Sequence, residues 1–355
     1  MMGKPTRLKV IAERLKLSES TVSRALNDYQ DISAHTKLIV RNMAKQLDYQ
    51  PNIHAKRLAS GKSETIGYVM PIQEAQVTGQ FIHELMAGIA KALAKYGWDL
   101  CVIAPQTTEE ELAIFKKIAR TRHISGLVIT RTFSDDPRFQ LLQELEIPFV
   151  SHGRSQESRK TAWLDVDNEL AFFDMTNHLI ELDHKRVAHI GGPLHYNFAY
   201  QRRDGWQRAL KTHGIKVPKT YAETAELTFD GGCHAMQRLL EVESPPTAVC
   251  CVSDVVAIGA MQALRKNGLR PGREVSLIGY DGLELGAWLD PPLTSMRQPL
   301  QSAGEKLAQI LMKIVERGSL PSDNQELVRA SLVQRETANA PISSWPPNRT
   351  QADNQ

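Results

Sequence analysis

Between residues 64 and 317 the chain alternates short apolar runs with amphipathic stretches, and nothing else in it limits the possible folds as much. The apolar runs lie at 65–70, 99–104, 126–130, 148–151, 187–190, 248–252 and 275–278. Each is short and apolar on successive residues, as a strand buried on both faces must be. The stretches between them, at 81–97, 107–120, 168–182, 201–213, 230–242, 254–267 and 298–317, repeat apolar residues at three- and four-residue intervals; Leu85, Ile89, Ala92 and Leu93 show the spacing. Strand and helix in turn predict an α/β fold with parallel sheets covered by helices on both faces. Such folds bind ligands in the crevice at the carboxyl ends of the strands. Polar residues gather there in this chain: Thr130-Arg131, His152-Gly153-Arg154, Asp165, Asp167-Asn168, Ser253-Asp254 and Tyr280-Asp281. Aspartate, asparagine and arginine forks beside an aromatic suit a neutral polyhydroxyl ligand, whose hydroxyls donate and accept in pairs. Asp167, Ser253 and Asp254 also precede helical runs, so capping competes with ligand contact for them.

Composition excludes several classes. With 42% hydrophobic residues, a mean hydropathy of −0.33 and no apolar run of membrane-spanning length, the chain reads as soluble with no membrane partner. Met1 to Pro5 lead straight into a polar amphipathic helix without the apolar core of a secretion signal, which predicts a cytoplasmic protein. Cys101, Cys233, Cys250 and Cys251 lack metal-binding spacing and read as small buried residues. There is no phosphate loop of the Gly-x-x-x-x-Gly-Lys-Ser/Thr kind, no Gly-x-Gly-x-x-Gly after a strand, no His-Glu-x-x-His and no nucleophile elbow. Gly191-Gly192-Pro193 reads as a tight turn. The expectation is a binding protein without metal, cofactor or catalytic residues.

The first sixty residues follow another pattern. Residues 1–62 hold twelve Lys and Arg against five acids, a charge of +7 on a chain whose total is +3, and a basic head on an acidic body is the footprint of a phosphate-binding module. Leu8, Ile11, Ala12 and Leu15 mark one helix; Ser18 is a suitable N-cap for the next, in which Val22, Ala25 and Leu26 share a face. Two helices joined by so short a turn make a helix-turn-helix. Ser18 starts the recognition helix, Glu19, Ser20 and Arg24 are placed to read bases, and Thr21, Ser23, Asn27 and Thr36 to hold phosphates. A third helix at 34–47 carries Leu38, Ile39, Met43 and Leu47 as its apolar stripe. Beyond it Ala55, Leu58 and Ala59 line one side of a turn too short to hold a helix alone.

Ser18-x-x-Thr21-Val22-Ser23-Arg24-x-Leu26-Asn27, Tyr49-x-Pro51-Asn52 and Ala55-x-x-Leu58 followed by Gly61-Lys62 resemble the lactose-repressor (LacI/GalR) family of bacterial transcription regulators. The resemblance covers the whole chain. It implies an all-α helix-turn-helix head over 1–50, a hinge helix and linker over 51–63 with Asn52 and Ala55 at the DNA and Leu58 wedged into the minor groove, and a two-lobed, periplasmic-binding-protein-like body over 64–340. Three crossover strands, near 162–166, 291–297 and 322–333, would join the lobes. The body would dimerise and bind an effector through Arg202, in Arg-Arg-Asp-Gly-Trp, and Asp281, after Gly-Tyr. Asp167 and Ser253 from the second lobe, Arg131 and Arg154 from the first, and Phe81, Phe229 and Trp288 as stacking surfaces complete the predicted pocket. The segment 131–138 with 165–168 looks like regulators of raffinose or α-glucoside use. Lys16 and Lys9 depart from the family pattern, standing where Gly and Asp are usual. Residues 341–355, with three prolines and no apolar heptad, predict a disordered tail that forms no tetramer.

The function implied is a homodimeric, operator-binding repressor of carbohydrate-utilisation genes under a small sugar or α-linked oligosaccharide. A purine or phosphorylated-sugar corepressor is the second possibility. A sugar-binding transport protein is a third, opposed by the helix-turn-helix.

Overall fold

The computed structural model describes residues 8–49, 63–70, 79–155, 161–318, 324–343 and 345. Asn52, Ala55 and Leu58 of the predicted hinge lie outside the described residues. The chain divides into two compact units, 1–63 and 64–355.

The head comprises α1 (Leu8–Leu15), α2 (Glu19–Leu26) and α3 (Ala34–Gln46). Ser18 caps α2, its side chain accepting from the Thr21 amide at 3.0 Å, and Ser33 caps α3 in the same way. Lys16 bridges α1 and α2 at φ 54°, a left-handed conformation that costs a side-chain residue about 1 kcal/mol relative to glycine. Ile11, Ala12, Val22, Ala25, Val40 and Ala44 form the core. The expected stripe on α3 is corrected at one residue: Ile39, Met43 and Leu47 pack against this core as expected, with Val40 and Ala44 buried beside them, but Leu38 is 58% exposed.

The body opens with β1 (Thr65–Val69), α4 (Gly79–Ala94), β2 (Asp99–Ile103), α5 (Thr108–Thr121), β3 (Gly126–Thr130), α6 (Pro137–Glu144), β4 (Phe149–His152) and β5 (Ala162–Val166). A second series follows: α7 (Asn168–Glu181), β6 (Val187–Gly191), α8 (Asn197–Thr212), β7 (Ala222–Thr224), α9 (Phe229–Glu241), β8 (Ala248–Cys251), α10 (Asp254–Lys266), β9 (Ser276–Asp281) and β10 (Thr294–Arg297). α11 (Leu300–Arg317), β11 (Gln325–Val328) and β12 (Ser331–Val333) complete it. Strands pair in the orders β11-β5-β4-β3-β1-β2 and β12-β10-β9-β8-β6-β7, parallel throughout except for β10 with β12. The chain passes between the two sheets three times, after β5, after β10 and between β11 and β12, so that each sheet is completed by segments remote in sequence. Continuously apolar strands sit at the centre of each lobe, as burial on both faces requires.

In the first lobe α4 and α11 cross backbone to backbone. A β-carbon added at Gly88 would lie 2.0 Å from the Gln301 carbonyl oxygen, and one at Gly304 would lie 2.2 Å from that of Leu85. Cys250 and Cys251 are buried in β8, and burial pushes the Cys250 thiol up to about 12. Among the described residues no helix is long and apolar enough to cross a membrane.

The segment 131–138 runs into α6: Asp136 caps it, and Arg138, buried, folds back on Asp136 with Nη2 to Oδ2 at 2.7 Å. One further expectation is corrected. The tail is not wholly free of the body, because Trp345 packs on the core of the second lobe, donates from Nε1 to Pro246 O at 3.3 Å and accepts from Arg186.

Candidate functional site

The carboxyl ends of both sheets face one crevice, the usual place for a small-molecule site in such a fold. From the first lobe come Arg131 and Thr132 after β3, His152, Gly153 and Arg154 at the end of β4, Asp165 of β5, and Phe81 near the start of α4. From the second come Asn168, Phe198, Arg202, Ser253, Asp281 and Gln298. Hydrogen bonds also span the lobes beside it. The Ser134 amide donates to His195 O at 2.9 Å, the Asn197 amide to Thr132 O at 3.1 Å, and Asn197 Nδ2 to Arg154 O at 2.6 Å.

Asn168 links the polar groups. It opens α7 directly after the crossover strand, so its side chain turns inward as the chain enters the second lobe. Its Oδ1 accepts from Arg202 Nε at 2.8 Å and from the Tyr280 hydroxyl at 3.2 Å, while Nδ2 donates to Asp165 Oδ1 at 3.2 Å. Arg202 Nη1 also donates to Val252 O at 2.7 Å, and the guanidinium lies 3.9 Å from the Tyr280 ring centroid and 4.5 Å from that of Phe198. Sandwiched between rings and tied at two nitrogens, this arginine has a single available pose.

Opposite charges are held with it. Arg154 Nε donates to Asp165 at 3.1 Å, and Gln298 Nε2 to Asp281 Oδ1 at 2.8 Å. Burial pushes Asp165 and Asp281 up to about 6, against the pull of Arg154 and Arg202 on the first and of Arg202 and Gln298 on the second. Asp281 stands at φ 120°, strain of a kind that clusters at binding sites. Behind it Asp254 is buried outside the crevice, accepting from the Ser295 hydroxyl and from the Leu283 amide, and so pins the turn that presents Asp281.

Six of the nine residues predicted for the pocket line this crevice: Phe81, Arg131, Arg154, Arg202, Ser253 and Asp281. Three do not. Asp167 is the N-cap of α7, accepting from the Leu170 amide at 3.0 Å; Phe229 begins α9 half in solvent; Trp288 is 86% exposed. Ser253 does both jobs, capping α10 from the crevice wall. Thr132, Phe198 and Gln298 carried no sequence signal of their own, since each lies in the crevice only through the crossing of the lobes.

Against known proteins, the model of the periplasmic binding proteins and sugar binding domain of the LacI family matches residues 63–340, and that of the bacterial regulatory proteins of the lacI family matches residues 7–52. The HTH-type transcriptional regulator AglR of Rhizobium meliloti is 39% identical over 97% of this chain and 98% of its own. The chain belongs to the LacI family. Like those relatives, this LacI-family protein is a DNA-binding transcriptional regulator. Two solved structures share its architecture at 26% identity: the Lac repressor dimer bound to operator and the anti-inducer ONPF, over 95% of this chain and all of that one with a TM-score of 0.81, and the transcriptional regulator CelR–cellobiose complex, over 94% and all of that chain with a TM-score of 0.73.

On the head of this LacI-family regulator, Ser18, Glu19, Ser20, Arg24 and Asn27 are exposed, while Thr21, Ser23 and Thr36 are half-buried. The hydroxyls of Thr21 and Thr36 are each shared with a capping serine at 2.8 Å, and Asn27 Nδ2 donates to Ser23 O. Arg24 is paired with Asp31 and lies 5.5 Å from the Tyr29 ring, two partners in the following loop that helix periodicity does not reveal.

Proposed function

We propose that the protein is a homodimeric repressor of carbohydrate-utilisation genes, working in the cytoplasm by binding alone, with a saccharide effector in the crevice between its lobes. One observation carries this reading: Arg202 and Asp281 converge on the crevice from different elements, a two-toothed donor beside a two-oxygen acceptor, as adjacent hydroxyls require. The match of residues 63–340 to a sugar binding domain supports it. An effector that prefers one lobe geometry shifts the balance between dimers that hold operator and dimers that release it, by its differential affinity for the two. The resemblance of the segments 131–138 and 165–168 points further to an α-linked oligosaccharide. Titration calorimetry with maltose, melibiose, raffinose and cellobiose, paired with operator release, tests the reading; no heat and no release with any saccharide would refute it.

Effector affinity should depend on pH with a definite sign. Hydroxyls donate more strongly to Asp281 when it is ionised, and its pKa near 6 falls once they do. Binding should therefore be strongest above about pH 7 and weaken as pH drops through 6, by up to about tenfold per unit for each carboxylate involved. Asp281→Asn should bind more weakly at pH 7.5 and show a flatter profile between pH 7.5 and 5; an unchanged slope would place the titrating group elsewhere.

On the head, Arg24 is proposed to read a guanine edge after exchanging Asp31 for the base. Arg24→Ala should cost roughly 1–3 kcal/mol on the preferred operator and relax sequence choice, whereas Thr21→Ala should weaken all sites alike. Selection of binding sites from random DNA is the check, and the same motif recovered with wild type and Arg24→Ala would reject the assignment.

A further inference from the structure

Arg24 has partners in the head before it meets DNA, and the turn that follows α2 puts them there. Asn27 is the C-cap of α2, and Asp28 takes the left-handed conformation at φ 61°. The two bonds of a Schellman motif follow: the Tyr29 amide donates to Arg24 O at 3.1 Å and the Asp28 amide to Ala25 O at 3.4 Å. The first of these folds Tyr29 back along the helix, where its ring centroid lies 5.5 Å from the Arg24 guanidinium. Asp28 is tied to α3 through ion pairs with Lys37 at 3.1 Å and Arg41 at 3.0 Å, and Ile32 packs on the core of the head. Anchored at both ends, the turn presents Asp31 to Arg24, and the two form an ion pair. Their side chains are 46% and 48% exposed, so the pair is open to exchange with DNA.

An internal partner changes what a base contact is worth. Like a phosphate or a guanine edge, the carboxylate presents acceptor atoms to the guanidinium. To read guanine, Arg24 must give up Asp31, so affinity for a site carrying that base falls by the factor the pair is worth. At a site without the guanine, Arg24 can stay on Asp31, and the head is spared an arginine stranded against the wrong base. The first effect weakens the best sites and the second protects the poor ones, so both narrow the gap between them. An exposed ion pair is worth up to about fivefold. A bidentate guanine contact is worth roughly fivefold to a hundredfold, so the base displaces the carboxylate, at some loss.

We propose that Asp31 is a specificity-determining residue of the head. It is a resting partner for Arg24 that lowers affinity for operators carrying the guanine and softens discrimination against operators that lack it. The inference rests on the reading of Arg24 as the guanine contact. It adds the residue that sets how strictly that contact is enforced.

The test is fluorescence anisotropy on the full chain at one salt concentration. The probes are the operator that wild type selects from random DNA and the same operator with adenine in place of the guanine whose selection Arg24→Ala relaxes. Asp31→Asn, which keeps the size of the side chain and removes its charge, should raise affinity for the guanine operator about twofold to fivefold for each head bound. Affinity for the adenine operator should rise less, so the ratio of the two grows. Any gain from removing a negative charge near DNA is common to both operators and cancels in the ratio. Asp31→Ala, which removes the acceptor altogether, should widen the ratio at least as far. In an Arg24→Ala background Asp31→Asn should leave the ratio unchanged, because the arginine through which it acts is gone. A ratio no larger than that of wild type in both Asp31 variants, or the same growth of the ratio in the Arg24→Ala background, would overturn the proposal and leave the guanine reading of Arg24 standing. Selection of one motif by wild type and Arg24→Ala alike would remove that reading and this proposal with it.

Discussion

Arg202→Ala should weaken effector binding on the order of a hundredfold, more than any other single change in the crevice. Three losses add. The fork that would hold two hydroxyls is gone, a charge-assisted pair worth roughly 1.5–3 kcal/mol. Asn168 Oδ1 and Val252 O lose the donors that order them, so the link between Asp165 and Tyr280 loosens. Asp281 loses the cation that draws its pKa down, and a carboxyl already near 6 becomes partly protonated near neutrality and a poorer acceptor. Arg202→Lys should recover little, because an ammonium keeps the charge without the planar fork or the stacking between Tyr280 and Phe198. Calorimetric affinity at pH 7.5 is the measurement, with operator binding in the absence of effector as the check on folding. An affinity within threefold of wild type would show that the effector does not use this side chain.

Gly88→Val should destabilise the body by about 3 kcal/mol or more and lower its Tm by about 5–10 °C. The obstacle to the new β-carbon is backbone: Gln301 O at 2.0 Å and its carbonyl carbon at 2.9 Å, neither of which can rotate away as a side-chain tip would. Relief requires α4 and α11 to separate, which opens the contact among Leu85, Ile89, Leu307 and Leu311 in the core of the first lobe. Gly79→Ala, at the exposed start of the same helix with nothing within 4 Å, should stay within about 0.5 kcal/mol of wild type. Thermal unfolding followed by circular dichroism compares the two, and equal midpoints would show that the crossing has slack.

Local signals in the sequence were enough for each element whose character is decided within its own few residues. Ser18 marks the start of α2, because capping needs only an oxygen and an amide three residues on; the buried parallel strands are legible as unbroken apolar runs; and Arg202 and Asp281 are found by their motifs. Tertiary structure alone decided which side chains meet. Periodicity says that α3 has an apolar face but not where its edge lies, so Leu38 was expected inside with Ile39, Met43 and Leu47, whereas the packing against α1 and α2 takes Val40 and Ala44 and leaves Leu38 exposed. Nothing in the letters Asp135-Asp136-Pro137-Arg138 says that Arg138 is buried; it becomes so because Asp136, the cap of α6, neutralises it. Asp167 and Asn168 are equal as letters; the turn from crossover strand into helix sends one to the cap and the other to the centre of the crevice. An aromatic side chain carries no address either. Phe229 and Trp288 face solvent, while Phe81 and Phe198 reach the ligand site because the chain crosses between lobes three times and brings together segments more than a hundred residues apart, a juxtaposition set by packing free energy over the whole body and by no local pattern.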